Sequence, residues 1–355
     1  MKDLERLSDS QHFHRKSIRK QISGFATGWC FAMVFAASGA MADSFQFEAG
    51  AELVFDEIEL TTPLFLGFPV TPPPEPQPTI TSTTDNDTTS LFARWYLDEV
   101  EVGSAPRSRA AFASRASFLS FGYQQLDVSS RLETTELNAV LPGPPPPAIV
   151  ISPVEIEPFE AVLEGDEFAV GGRYVWKDSG WFVDGRLSVG SLDTSGGGDS
   201  DVDVTVIAVG GGLYLGDLTT VGITVLNSDV DSGSALSIAG ESNGTDIAFD
   251  LQHLGRLTET WQYGFDAGVL LADEGDDQLS VSGSLYPTQD IAFGLRIVSA
   301  TDDFLDDGSR YTLFGRWFVT PGFEVFASLG TSQNEEIPGV DIDNEFYGIG
   351  VTARF

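Results

Sequence analysis

Cysteine is almost missing from this 355-residue chain: Cys30 is the only one, so no intrachain disulfide can form. Histidine is scarce too, with three residues, and only His253 lies beyond position 14. Zinc sites need several His or Cys ligands, and a serine hydrolase needs a histidine beside its nucleophile in a protected cleft. The expectation is therefore a protein that is not an enzyme, with no catalytic residues, no metal site and no cofactor. Basic residues are few, 19 Lys and Arg against 53 Asp and Glu. So acidic a surface cannot neutralise phosphates, which rules out nucleic acid as a partner. Beyond residue 42, no run approaches the ~20 apolar residues that a helix needs to cross a bilayer.

What is present begins with a three-part N-terminus. Arg15, Lys16, Arg19 and Lys20 precede an uncharged run from Gln21 to Ala42, which closes on Ala40-Met41-Ala42. A basic head, an apolar centre and a small-residue site make a secretory signal peptide over residues 1–42, with Ala40 and Ala42 marking the cleavage. Cys30 sits inside it behind Trp29, where a lipoprotein needs a small residue, so lipidation is not expected. Residues 1–42 hold six basic and three acidic side chains, leaving 13 basic and 50 acidic and a net charge of −37. Acid at this density keeps exposed loops hydrated.

Hydrophobic residues make up 42% of the chain, yet the mean hydropathy is 0.00. Strands with one face toward lipid and one toward water give such an average. Phe45, Phe47, Ala49, Ala51, Leu53 and Phe55 alternate with Gln46, Glu48, Gly50, Glu52 and Val54, a strand with one apolar face. Leu91 to Leu97 and Ser117 to Tyr123 repeat the rhythm, as do Phe168 to Trp176 and Trp181 to Val189. Eight further segments lie at about 201–215, 219–227, 245–256, 261–272, 278–286, 290–299, 310–319 and 323–331, and a last one at 345–355. The fold expected is all-β, a single antiparallel transmembrane β-barrel over 43–355 of about 14 strands, within a range of 12–16.

Connection lengths support closure in a membrane. Short turns at 177–180, 216–218, 257–260, 287–289 and 320–322 alternate with longer acidic loops such as Leu192 to Ser200 and Ser228 to Thr245. Outer-membrane barrels are built this way, whereas a soluble sandwich has no reason to sort its loops by side. Two proline-rich connections, 56–89 and 127–166, read as long extracellular loops, because proline cannot donate to a ladder. Trp95, Trp176, Trp181, Trp261 and Trp317 fall on apolar faces near one end of their strands and form an expected aromatic girdle. Two further motifs carry no ligand. Asp229-Val230-Asp231-Ser232-Gly233 lacks a carboxylate at the twelfth position of a calcium loop, which is Gly240. Gly210-Gly211-Gly212 sits within a strand, where it lets neighbouring side chains pack.

The ending adds a resemblance. Tyr347, Ile349, Val351, Ala353 and Phe355 alternate with Gly348, Gly350, Thr352 and Arg354, and the sequence stops at Phe355. This resembles the terminal strand of Gram-negative outer-membrane β-barrel proteins. The resemblance implies that Tyr347, Ile349, Val351 and Phe355 form a C-terminal signal read by the barrel-assembly machinery. Ala110-Ala111-Phe112, Arg115-Ala116-Ser117 and Gly122-Tyr123 are similar to a segment of the porin family of proteobacteria.

With apolar faces toward lipid, the alternate residues line a lumen. The candidates are Glu48, Glu52, Arg94, Arg173, Asp184, Arg186, Asp250, Asp266, Arg296, Arg316 and Glu324. Opposed charges in a pore orient dipolar or ionic solutes, and Arg–carboxylate pairs equally brace a wall. The register sets His253 on the lipid side near the girdle. The function expected is a porin-like outer-membrane channel for passive diffusion of small hydrophilic solutes, with acid that favours cations at low salt. The alternatives are a non-conducting surface or structural protein and a dedicated solute transporter. Partners would be outer-membrane lipid and lipopolysaccharide, the assembly machinery, small solutes and a second copy of the chain in a homo-oligomer.

Overall fold

Strict alternation leaves each strand one apolar and one polar face, and a sheet with that asymmetry hides its edges best by closing on itself. The computed structural model describes residues 44–63, 79–134, 140–141, 149–150, 160–195, 200–232, 244–273, 277–301, 308–333 and 341–355. The expected signal peptide, Ala40 and Ala42 included, lies outside them, as do residues 233–240 of the acidic motif.

The strands are β1 (Ser44–Pro63), β2 (Thr79–Glu101), β3 (Phe118–Thr134), β6 (Glu160–Trp176), β7 (Trp181–Ser195), β8 (Ser200–Tyr214), β9 (Thr219–Ser232) and β10 (Thr245–Arg256), with a two-residue pair, β4 (Val140–Leu141) and β5 (Ile149–Val150), apart from the main sheet. They continue as β11 (Gln262–Leu271), β12 (Asp277–Tyr286), β13 (Ile291–Thr301), β14 (Gly308–Thr320), β15 (Phe323–Gln333) and β16 (Asp341–Arg354). Apart from β4 and β5 they form one closed antiparallel barrel of fourteen strands. Each pairs with its neighbours in sequence, and β1 meets β16 at the seam.

The register puts large apolar side chains on the outside in rows: Phe47 faces Trp95 and Trp95 faces Leu119, while Tyr174 faces Val183. Trp181, Val209, Leu313 and Ile349 are each more than half exposed, as a lipid-facing wall requires. On the inner wall, phenylalanine rings lie flat over glycines of the next strand. A Cβ at Gly50, Gly212, Gly294, Gly330 or Gly350 would meet the ring of Phe92, Phe182, Phe314, Phe346 or Phe326 at 2.2–2.5 Å. Covering a glycine with a neighbouring ring restores apolar contact without filling the lumen.

Two boundaries differ from expectation. Of the connection expected at 56–89, the described residues 56–63 and 79–89 are ladder: Asp56 pairs with Asn86 and Glu57 with Asp85, up to Pro63 opposite Thr79. That at 127–166 likewise begins after Thr134 and ends before Glu160. The β2 part, Thr81 to Thr89, is polar on both faces, as strands are where water touches both sides, so no alternation marks it. The third difference is at the rim of short turns, where β2 and β3 are joined by a long segment containing a 3-10 turn (Arg107–Arg109) and a short α-helix (Ala110–Ala113).

Candidate functional site

Directly opposed residues on neighbouring strands share a face, so register decides which side chains meet inside. Arg354 Nε donates to Glu48 Oε2 at 2.7 Å, and Arg94 Nη1 lies 3.6 Å from Glu48 Oε1. Arg354 also reaches Glu324 at 3.8 Å, and Arg316 Nη1 donates to Glu324 Oε1 at 3.2 Å. Five charged groups from β1, β2, β14, β15 and β16 thus form one network across the seam. Further round, Arg173 pairs with Asp184 and Arg186 with Glu167, each at 2.7 Å. Glu52, Asp250, Asp266, Arg296 and Arg316 line a chamber of about 620 Å³, together with hydroxyls of Ser280, Ser282, Ser284, Thr312 and Ser328. Arginines also stack on the inner rings, Arg310 over Phe346 at 3.6 Å and Arg173 over Phe182 at 4.2 Å.

The floor of that chamber is the segment between β2 and β3. It leaves the wall at Val102, which is buried with Phe45, Tyr96 and Val100, and crosses to β10 and β11, the opposite side of the ring. There Gln262 Nε2 donates to the Ser104 carbonyl at 2.7 Å, and Ala105 packs on Leu254 and Tyr286. The segment then returns. Arg107 Nε bonds Asp290 at 2.5 Å, and its carbonyl accepts from Arg354 Nη1 at 2.7 Å. Arg109 bonds both Asp266 and the Tyr286 hydroxyl. Burial works against the Arg109 charge, but the Tyr286 hydroxyl and Asp266 outweigh it and hold the guanidinium above its ordinary range. Phe112 fills the space between Tyr214 and Leu254.

The short helix ends with Arg115 at φ 52°, a left-handed conformation that usually falls to glycine. Ala116 N–H bonds the Ala111 carbonyl and Arg115 N–H the Phe112 carbonyl, the paired bonds of a Schellman cap. The Arg115 side chain offsets the strain by donating to the Gly216 carbonyl at 2.6 Å and to Asp217 at 3.0 Å, above the Tyr214 ring. Three arginines therefore fasten the segment at three points around the mouth.

The remaining sequence candidates sit as follows. Trp95, Trp176, Trp181, Trp261 and Trp317 are outward and 39–56% exposed. Tyr347, Ile349 and Phe355 are exposed on the same outer wall. His253 is outward, and its ring bonds the Thr219 and Tyr263 hydroxyls. Sequence reasoning did not single out Arg354, Glu167, Arg107, Arg109 or Arg115 as site residues. Arg354 could have been found, since it alternates with Ala353 and Phe355. The three arginines of the segment carry no period to reveal their partners, which are 102–183 residues away.

Closed wall, lipid-facing exterior and charged interior define a transmembrane β-barrel of the outer-membrane type. No family model and no curated protein matches the chain. Among solved structures it is similar to the outer membrane protein Omp33 of Acinetobacter baumannii (14% identity, TM-score 0.50, 88% of this chain and 99% of that one). It is also similar to a ΔS2S3 mutant of the monoaromatic hydrocarbon channel TodX (10% identity, TM-score 0.54, 88% and 91%). The toluene transporter TodX of Pseudomonas putida matches at 11% identity and TM-score 0.50, over 88% and 89%. At these identities the likeness is one of fold.

Proposed function

We propose that the protein is an outer-membrane channel for passive diffusion of small hydrophilic solutes, restricted at its periplasmic mouth by residues 102–117. The observation that carries this reading is the hydroxyl- and charge-lined chamber of about 620 Å³ inside a wall whose outer face is apolar. A purely structural barrel has no use for a solvated interior of that size. The excess of 50 acidic over 13 basic residues beyond position 42 favours cations at low salt, where the field is least screened.

Planar-bilayer recording on the refolded protein tests the reading. Discrete conductance steps with cation selectivity that fades in high salt are expected. The segment crossing the mouth favours one rival, a non-conducting surface protein. Complete electrical silence in wild type and in a variant lacking residues 104–115 would establish that rival.

A further inference from the structure

At the end of the barrel away from the short turns, the two faces of β6 to β9 exchange chemistry. Outward positions there carry exposed acid: Glu164 and Asp166 on β6, Asp193 on β7, Asp203 on β8 and Asp229 on β9. The inward positions between them are aliphatic: Leu163 on β6, Leu192 on β7, Val204 and Val206 on β8, and Leu226 on β9. Leu126 on the adjoining β3 continues the row. Nearer the short turns, the same inward parity holds Arg173, Asp184 and Arg186. Water bathes both faces of a strand that stands clear of hydrocarbon, so solvent alone gives no reason for aliphatic side chains inside.

Register gathers these side chains around a hollow. Leu126, Gly165, Leu192 and Val202 form one cross-strand row, and Gln124, Glu167, Gly190 and Val204 the next. Leu192 bends over Gly165 and makes one side of the hollow. At Gly190 the nearest neighbours are Asp166 and Glu167 of the adjoining strand rather than a covering ring, which leaves a low floor. Leu126, Val204 and Val206 complete the wall around a space of about 240 Å³, with no aromatic side chain among its lining residues. One edge is polar yet neutral. Arg186 donates to Glu167 Oε1 at 2.7 Å, and the Gln124 amide and Ser188 hydroxyl line the same hollow.

We infer that this hollow binds one small uncharged amphiphile, a compact aliphatic body carrying a single hydroxyl. An apolar cavity of about 150 Å³ takes one benzene, so the larger space here takes a six-carbon ring with its hydroxyl. The body lies against Leu126, Leu192, Val204 and Val206 and releases water from them, while the hydroxyl bonds Gln124 or Ser188. A carboxylate or an ammonium finds the inward charges beside it, Arg186 and Glu167, already paired. A polyol loses hydration against an aliphatic wall that returns no hydrogen bonds. The hollow shares no lining residue with the charged chamber, so it adds to the channel reading a second kind of ligand at a second place.

Fluorine NMR on the full chain folded in lipid nanodiscs tests the site without requiring transport. The probes are fluorinated cyclohexanol, cyclohexanecarboxylate, cyclohexylammonium and glucose, each compared with protein-free nanodiscs. Saturable broadening of the alcohol alone is expected, reversed by unlabelled cyclohexanol. The pair Val204→Ser and Val206→Ser should weaken binding about tenfold by removing apolar contact. Val204→Phe, which fills the hollow, should weaken it at least as much. Both variants change a wall that water already touches, and retained heat-modifiable migration on gels controls for their folding. Equal broadening of a charged probe or of glucose, or binding unchanged in both folded variants, overturns the site. No saturable broadening in folded wild type overturns it too, and means that another part of the chain fills the hollow. Binding by a protein without bilayer conductance overturns the channel and leaves this site standing.

Discussion

Arg354 meets Glu48 at the seam, the two residues directly opposite each other where the last strand closes on the first. Both side chains are under 10% exposed, so the bond that closes the ring is also buried. Arg354 additionally holds the Arg107 carbonyl, which ties barrel closure to the segment across the mouth.

Removing one partner of such a pair leaves the other charge buried and unmatched. Arg354→Ala is expected to cost toward the low end of about 3–5 kcal/mol, because it leaves the buried Glu48 only Arg94 at 3.6 Å and the buried Glu324 only Arg316 at 3.2 Å. A double change to Glu48→Leu and Arg354→Met is expected to cost less than the single one. Urea unfolding in lipid vesicles measures both, and equal midpoints for the single variant and wild type contradict the network.

The clamps on the crossing segment are graded by exposure. Arg107–Asp290 and Arg115–Asp217 each have one partner well exposed, so each is worth about 1 kcal/mol or less. Arg107→Ala should therefore raise the population of a high-conductance state by about fivefold at most. Single-channel recording reads the ratio of the two current levels. Unchanged levels in Arg107→Ala and in a deletion of 104–115 show that the segment does not limit the path.

Glycine positions separate into tight and open ones. At Gly330 a Cβ would lie 2.1 Å from the Tyr311 carbonyl and 2.3 Å from the Phe346 ring, whereas at Gly283 nothing lies within 4 Å. Gly330→Val should lose about 1–3 kcal/mol by overpacking. Gly283→Ala should gain about 0.5–1 kcal/mol from lower chain entropy. Unfolding midpoints that move the same way for both contradict the ring-over-glycine packing.

How much of this was readable in the sequence depended on where water lies. Within the membrane the two faces of a strand meet different solvents, so Phe47, Trp95 and Leu119 announce the outer wall and Glu48, Arg94 and Ser120 the inner one. Above it, Thr83, Thr84, Asp85 and Asn86 are wet on both sides, and a strand there looks like a loop. The eleven inward candidates followed from parity alone, but their pairing did not, since Glu48 finds Arg354 across 306 residues. The segment 102–117 shows its arginines openly and hides only what they touch.

Placement in the bilayer has its own readout. The five exposed tryptophans should be quenched more by nitroxides near the lipid headgroups than by nitroxides deep in the acyl chains. Stronger quenching by the deep label places these rings in the hydrocarbon core and removes the girdle.

The most direct test of the whole account is alternating accessibility along β14, in a chain with no native cysteine after Cys30. Single cysteines at Thr312, Phe314 and Arg316 should react with a membrane-impermeant charged thiol reagent in proteoliposomes, whereas those at Leu313, Gly315 and Trp317 should stay protected. Uniform labelling along the strand, or protection at the first three sites with reaction at the other three, would contradict a barrel whose charged face encloses the aqueous path.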